Sequence, residues 1–450
     1  MARLFGTDGV RGVANIAPMT TEMVLEIGRV AAHICRRHAG GRAIIVIGRD
    51  TRLSGAMLEN ALTAGVCSMG VDVVLLGPMP TPGIAFLTRH MRADMGIVIS
   101  ASHNPFEDNG IKIFSRDGAK LPDAEEDEIE NLIASGSCRE IRPTGGEIGV
   151  AKRIEDPSSR YVAFCKETFP GGLSLEGMRI AMDCANGATY RVAPAVFSEL
   201  GAAVETLHCA PNGTNINKRC GSQHTESLRD RVIESAATIG LAFDGDGDRL
   251  IALDEKGREL TGDQIVAICA SMYKERGWLN NNLVITTVMS NFGFLVALKN
   301  LGIEHGASKV GDRYVLEMMK ERGAVIGGEP SGHMIFLNHH TTGDGIISAL
   351  QLLACMRQAG RPLSELAGIV TLAPQKSINV DVKEKPPLEE LPALQQAIRI
   401  AERELAGKGR VLIRYSGTQP MCRVMVEGPT EEITGRLAER LAESVRKLLG

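Results

Sequence analysis

Aromatic side chains are scarce in this chain of 450 residues, at 4% with a single Trp. Grooves that stack bases need more of them, and no Lys/Arg cluster makes up the deficit, so a nucleic-acid partner is excluded. A surplus of one charge is missing too: 50 Lys and Arg stand against 54 Asp and Glu, for a net charge of −4. That balance gives no overall attraction for polyanions or anionic membranes. No run approaches the roughly 18–20 uncharged apolar residues of a membrane-spanning helix. The start, Met1-Ala2-Arg3-Leu4-Phe5-Gly6, lacks the apolar stretch of a secretory signal. No membrane partner is expected, and the cytoplasm is the expected compartment. Paired CxxC motifs are absent as well. The ten cysteines, at 35, 67, 138, 165, 184, 209, 220, 269, 355 and 422, are scattered, several within apolar segments. That pattern predicts reduced, buried thiols rather than a disulfide framework or a zinc site.

What is present is ordinary in proportion and periodic in arrangement. Hydrophobic residues make up 44% and charged residues 23%, as in soluble globular proteins, and the length allows about two to four domains. Ala43–Gly48 is a short β-branched run, followed by polar Arg49–Gly55, helical periodicity through Met57, Leu58, Ala61, Leu62 and Val66, a stop at Gly70, and a second strand over Val71–Leu76. The same unit recurs from Arg179 to Leu207 and from Leu283 to Gly302. Strand, polar loop, amphipathic helix, Gly stop and strand is the signature of a βαβ unit. Three copies predict three similar α/β domains with mixed sheets. The last stretch differs: strands over Gln375–Val382, Arg410–Arg414 and Cys422–Val426, with helices over Leu391–Leu405 and Glu431–Leu449, predict a smaller α+β domain. The acidic run Asp123–Glu130 reads as the solvated first turns of a helix, where the helix dipole favours carboxylates.

Four polar loops carry candidate chemistry. Asp244-Gly245-Asp246-Gly247-Asp248-Arg249 follows apolar Ile239–Phe243 and places three carboxylates at alternate positions. Like charges this close repel unless neutralised, so a Mg²⁺ site, one ion per chain, is preferred to a plain Asp-Gly turn. Asp244, Asp246, Asp248 and Glu255 also match EF-hand ligand positions, but Arg249 stands at the turn glycine and the flanks read as strands, which excludes that motif. Ile97–Ile99 leads to Ser100-Ala101-Ser102-His103-Asn104-Pro105, with Lys112 downstream. Alone this is a turn; beside a metal loop, a phosphorylated serine would supply an anionic ligand. Gly328-Glu329-Pro330-Ser331-Gly332-His333 offers hydrogen-bonding groups for sugar hydroxyls, and Arg414-Tyr415-Ser416-Gly417-Thr418 offers hydroxyls, free amides and a guanidinium for a phosphate.

Taken in this order, with Phe5-Gly6-Thr7-Asp8-Gly9-Val10-Arg11-Gly12 at the start, these segments resemble the α-D-phosphohexomutase superfamily over essentially the whole chain. The first motif, the Ser102 loop and the Gly328–His333 loop are most similar to the branch acting on glucosamine phosphates. The resemblance implies four domains around a central cleft, here divided as 1–155, 156–253, 254–368 and 369–450. It implies Ser102 as a phosphoserine whose phosphate joins Asp244, Asp246 and Asp248 on the metal. His103, Lys112, Arg11 and Arg249 would handle protons and transferred charge. Arg313, within Gly311-Asp312-Arg313-Tyr314, would join Glu329, Ser331 and His333 in reading the sugar. Arg414, Ser416, Gly417 and Thr418 would grip the phosphate that does not react. The chain departs from the branch at Gln419, where Glu is usual, and at Tyr415.

The implied activity is interconversion of D-glucosamine 6-phosphate and α-D-glucosamine 1-phosphate through a 1,6-bisphosphate, on the route to UDP-N-acetylglucosamine. The partner would be a small phosphosugar. The sequence leaves the oligomeric state open, a homodimer included. Two alternatives stand beside this expectation: the same chemistry on mannose or glucose phosphates, and a non-catalytic sugar-phosphate-binding relative.

Overall fold

The computed structural model describes residues 4–6, 8–38, 41–416 and 420–450. The chain forms two compact units. One holds Met1–Met289 and Ile303–Ile369, the other Ser290–Gly302 and Val370–Gly450.

The first unit contains three sheets built on one plan. In the first sheet, parallel strands run in the order Asp72–Pro78, Ile44–Arg49, Met95–Ile99, and the chain then turns back as antiparallel Asp108–Ser115. The second sheet repeats this order with Ala203–Leu207, Arg179–Asp183, Ile239–Phe243 and antiparallel Leu250–Leu253. The third repeats it again with Glu304–Ser308, Leu283–Thr287, Ile326–Gly328 and antiparallel Met334–Phe336. Extra strands, Val10–Val13 and Ala151–Arg153 in the first sheet and Glu259–Leu260 in the second, extend the edges. The shared plan explains why the sequence unit recurs. Each copy begins with a strand, a helix and a parallel neighbour, and a right-handed crossover returns the third strand to the middle.

The central strands read as uncharged runs without polar alternation because both faces are covered, and Met95–Ile99, Ile239–Phe243 and Leu283–Thr287 are buried throughout. On the first sheet, helix Thr21–His38 crosses helix Gly55–Cys67, burying Val24, Ile27, Leu58, Leu62 and Val66. Each such side chain stabilises the fold by about 1.5–3 kcal/mol. The crossing is close because two glycines face it: a Cβ on Gly65 would lie 2.2 Å from Leu25 O, and one on Gly28 would lie 2.6 Å from Leu62 O.

The acidic run does open a helix, Asp123–Ser135, but it is not merely a solvated face. Glu126 is buried, and the Arg313 guanidinium donates to both Asp123 and Glu126. Desolvated carboxylates need a cation, and the one supplied comes from the third sheet's region of the chain.

The second unit is an antiparallel sheet, ordered Gln375–Asp381, Met421–Glu427, Arg410–Tyr415, packed by helices Pro392–Leu405 and Glu431–Leu449. The last helix buries Leu437, Leu441, Val445 and Leu449 on one face and keeps its charges on the other. Helix Phe292–Asn300 belongs here too, although it is encoded between two strands of the third sheet. Its cap Asn291 donates to Ala373 O and to Glu427, while the Phe292 amide donates to Glu427 Oε2. All ten cysteines are free and eight are buried, as their scatter predicts. Among the described residues, no helix is long and apolar enough to cross a membrane.

Candidate active site

In all three sheets the connection from the third parallel strand to its antiparallel partner is a functional candidate: 100–107, 244–249 and 329–333. The common plan therefore places three chemically different loops at equivalent positions, at the carboxyl ends of parallel strands where α/β proteins bind ligands.

Ser102 is almost fully buried and has a left-handed backbone, φ 53°. Its hydroxyl donates to Asp244 Oδ2 at 2.6 Å and lies 3.2 Å from His103 Nδ1. The loop is held mainly through its carbonyls. Fully buried Arg52 donates to Ser102 O at 2.8 Å and Asn104 O at 2.9 Å, and also to Asp108 O and Pro105 O. Asn217 Nδ2 donates to the same Ser102 and Asn104 carbonyls, at 2.8 and 2.9 Å. Asp50 completes the frame, accepting from Arg52 Nε and from Ser100 Oγ, whose oxygen accepts the Ser102 amide. Arg52 falls in the polar segment Arg49–Gly55 that the sequence marks as a loop, but nothing in its spacing points at Ser102. Asn217 lies more than a hundred residues away and gives no signal at all.

The carboxylate loop reaches this serine because Gly245 has no side chain: a Cβ there would lie 2.5 Å from Ser102 O. Asp244, Asp246 and Asp248 are buried, and their oxygens converge to within 4.8 Å of one another. Burial, followed by the charges of Asp248 and Asp246, pushes the Asp244 carboxyl well up. Asp246 goes the other way. Burial would raise it, but the Lys112 ammonium at 2.8 Å, with the Thr81 hydroxyl at 2.7 Å, holds it below the ordinary range. Asp246 Oδ1 and Asp248 Oδ1 have no hydrogen-bond partner although buried. Three converging carboxylates, two of them with orphaned oxygens, outnumber the Lys112 and Arg249 charges beside them, so the donor set fits a hard, oxygen-bound divalent cation.

Around them runs a network of alternating charge. Lys112 is buried between Asp246, Asp8 at 3.0 Å and Asp248 at 3.7 Å. Burial opposes its charge, but those three carboxylates overcome it and raise the ammonium. Asp8 also pairs with Arg11 and Lys120, and Lys120 reaches Asp312. Arg11 donates to Ala101 O at 3.3 Å. His103 is pulled down to about 4, first by burial and then by Arg249 and Arg11, and is therefore neutral near pH 7.

The 329–333 loop joins this site through the backbone. Arg249 and His333 form a β-bridge, and the Leu250 amide donates to Gly332 O at 3.0 Å. His333 is buried, with Nε2 3.5 Å from Asp312 and 4.0 Å from Asp248, and neither ring nitrogen has a hydrogen-bond partner. Glu329 accepts from the Gly311 amide at 3.0 Å and from Ser331 Oγ at 3.3 Å. Thus Ser102, His103, Lys112, Arg11, Arg249, the three aspartates, Glu329, Ser331 and His333 form one neighbourhood. Arg313 does not point into it, since its guanidinium is taken up by Asp123 and Glu126.

In the second unit, Arg414 stands directly opposite Arg423 across the sheet, and Lys385 donates to Ser416 O at 2.7 Å. Burial and then the facing Arg423 lower the Arg414 guanidinium, as expected where like charges gather. Gly417, Thr418 and Gln419 lie outside the described residues, while Tyr415 donates to Pro386 O.

Three mixed sheets on one plan, a buried serine against three carboxylates and a basic C-terminal strand pair define a class. The chain matches four family models in order: phosphoglucomutase/phosphomannomutase alpha/beta/alpha domain I over residues 2–140, domain II over 159–257, domain III over 261–372 and the C-terminal domain over 378–444. It belongs to the phosphoglucomutase/phosphomannomutase family. Among curated relatives, the phosphoglucosamine mutases of Syntrophobacter fumaroxidans and Syntrophus aciditrophicus are 57% and 58% identical over 450 residues, covering all of both chains. A family protein from Burkholderia thailandensis shares the fold, with a TM-score of 0.81 at 24% identity over 99% of this chain and 97% of that one. So does Aspergillus fumigatus N-acetylphosphoglucosamine mutase, solved with GlcNAc-6P and magnesium, with a TM-score of 0.65 at 18% identity over 99% and 95%.

Proposed function

We propose that the chain is an isomerase that interconverts D-glucosamine 6-phosphate and α-D-glucosamine 1-phosphate, with Ser102 as the phosphoryl carrier. The observation that carries this reading is the buried Ser102 hydroxyl 2.6 Å from Asp244, inside a carboxylate cluster with partnerless oxygens. The choice of sugar rests on the full-length relatives that bear the name phosphoglucosamine mutase.

In the first half-reaction the bond from phosphorus to Ser102 Oγ breaks and a bond to the free hydroxyl oxygen of the monophosphate forms, giving a 1,6-bisphosphate. The bisphosphate turns over, and its other phosphoryl group returns to Ser102. Mg²⁺, one per chain, held by Asp244, Asp246, Asp248 and the serine phosphate, would offset charge on the moving group. Phosphoryl transfer depends mainly on positioning and charge neutralisation. His103, neutral and beside Oγ, is placed to take up a hydroxyl proton. Lys112, Arg11 and Arg249 steady the transferred charge. Glu329, Ser331 and His333 read the sugar, Arg313 braces that region through Asp123 and Glu126, and Arg414, Ser416, Gly417 and Thr418 hold the second phosphate. The divisions at 155, 253 and 368 separate the four regions with these duties.

The deciding experiment compares kcat/KM on glucosamine, mannose and glucose phosphates. Preference for the amino sugar is expected; preference for mannose or glucose phosphate would overturn the substrate. Intact-mass analysis should find an increment of about 80 Da on Ser102, the mass of the phosphoryl group that makes a phosphoserine.

A further inference from the structure

The second sheet carries another convergence of donors, away from the carboxylate loop. Asp183 ends one strand, His208 follows the neighbouring strand, and Cys220 enters from the loop beyond. One ligand atom from each lies within 4.8 Å of the other two. Asp183 is fully buried and Cys220 nearly so, whereas the His208 side chain is 30% exposed, so the group is closed inward and open to water on one side. His208 Nδ1 stands 2.9 Å from Asp183 Oδ2, and the remaining carboxylate oxygen is fixed by the Ala185 amide.

We propose that Asp183, His208 and Cys220 bind a zinc-class divalent cation, at a site separate from the carboxylates of the 244–248 loop. Carboxylate, imidazole and thiolate are the donors of such an ion, and the water-facing side leaves a fourth position, whereas Mg²⁺ does not select sulfur. On binding, the Cys220 proton passes to solvent as the sulfur–metal bond forms. The ion ties the 184–186 turn to the 217–220 segment. Asn217 belongs to both systems: its amide donates to Ala185 O at 2.9 Å, and its side chain holds the Ser102 and Asn104 carbonyls. A cation here therefore stiffens the clamp on the serine loop. The ligands come from three segments with no CxxC spacing, which is why the cysteine pattern points away from a metal.

The test adds Co²⁺ to the reduced full-length chain, because a thiolate–Co²⁺ bond gives a near-ultraviolet charge-transfer band that carboxylate ligation does not. The expected band is displaced by Zn²⁺, lost in Cys220→Ser and kept in Asp246→Asn. By chelator competition, Zn²⁺ affinity should fall roughly tenfold or more in His208→Asn, since even outer partners of a metal change affinity on that scale. No thiolate band in the intact chain, a band surviving in Cys220→Ser, or a band lost in Asp246→Asn overturns the proposal. If Cys220→Ser does not fold, the His208→Asn arm decides, and unchanged Zn²⁺ affinity there overturns the site.

Discussion

The serine loop and the carboxylate loop occupy the same connection in two copies of one sheet, yet they are held differently. Around Ser102 the grip falls on main-chain carbonyls, through Arg52 and Asn217, and leaves the reactive side chain facing Asp244. Around Asp246 the grip falls on main chain and side chain together: the Thr81 amide donates to Asp246 O at 2.9 Å, while Lys112 and the Thr81 hydroxyl hold the carboxylate. The first loop separates shape from chemistry and the second merges them. A side-chain change at Ser102 should therefore remove activity while the loop stays in place. A change at Asp246 should disturb charge, metal and geometry together.

The largest effect is expected from Ser102→Ala, which removes the phosphoryl acceptor. Mutase rate should fall by at least about 10³-fold, on the scale seen when a covalent nucleophile is deleted, with the increment on Ser102 gone and the melting temperature little changed. A residual rate near the parent's would end the phosphoserine mechanism. Asp246→Asn comes next. A loss of roughly 10²–10³-fold in kcat is expected, as for removal of one electrostatic stabiliser of a transition state, together with weaker divalent-metal binding by calorimetry. Unchanged metal affinity would remove Asp246 from the ligand set. Gly245→Ala tests the contact between the loops, since its Cβ would clash with Ser102 O. A displacement of about 1 Å predicts a kcat loss of around 10²-fold, and a full rate would show that the loops need not touch. The smallest effect is expected from Asn217→Ala, roughly tenfold in kcat with KM unchanged, because Arg52 still holds the same two carbonyls. A larger change in KM than in kcat would assign Asn217 to substrate instead.

How much of this was legible in the sequence depended on how local each feature is. The strands Arg179–Asp183 and Leu283–Thr287 and the helix Glu431–Leu449 announce themselves through period and β-branching, and their bounds fall within a residue or so of those expected. Asp244, Asp246 and Asp248 are legible because alternate carboxylates are hard to explain without a cation. Arg52, Asn217 and Asp50 are not, since their role arises only when distant strands align. Arg313 shows the converse: a motif supplies the residue, but Glu126, buried in a helix almost two hundred residues earlier, decides where its charge goes.

Helix Phe292–Asn300 has a practical consequence for dissecting the molecule. The second unit is discontinuous in sequence, so the chain passes between units near 289, 302 and 369. Ending the polypeptide after Ile369 would leave this helix behind without Glu427 and the Ala373 carbonyl at its amino end. A fragment starting at Val370 would lose the Asn291 and Phe292 donors to the buried Glu427 carboxylate and leave Arg410 to hold it. Neither half is therefore a self-contained piece. A clean excision would have to carry the helix along, grafted by a linker onto the carboxyl-terminal sheet.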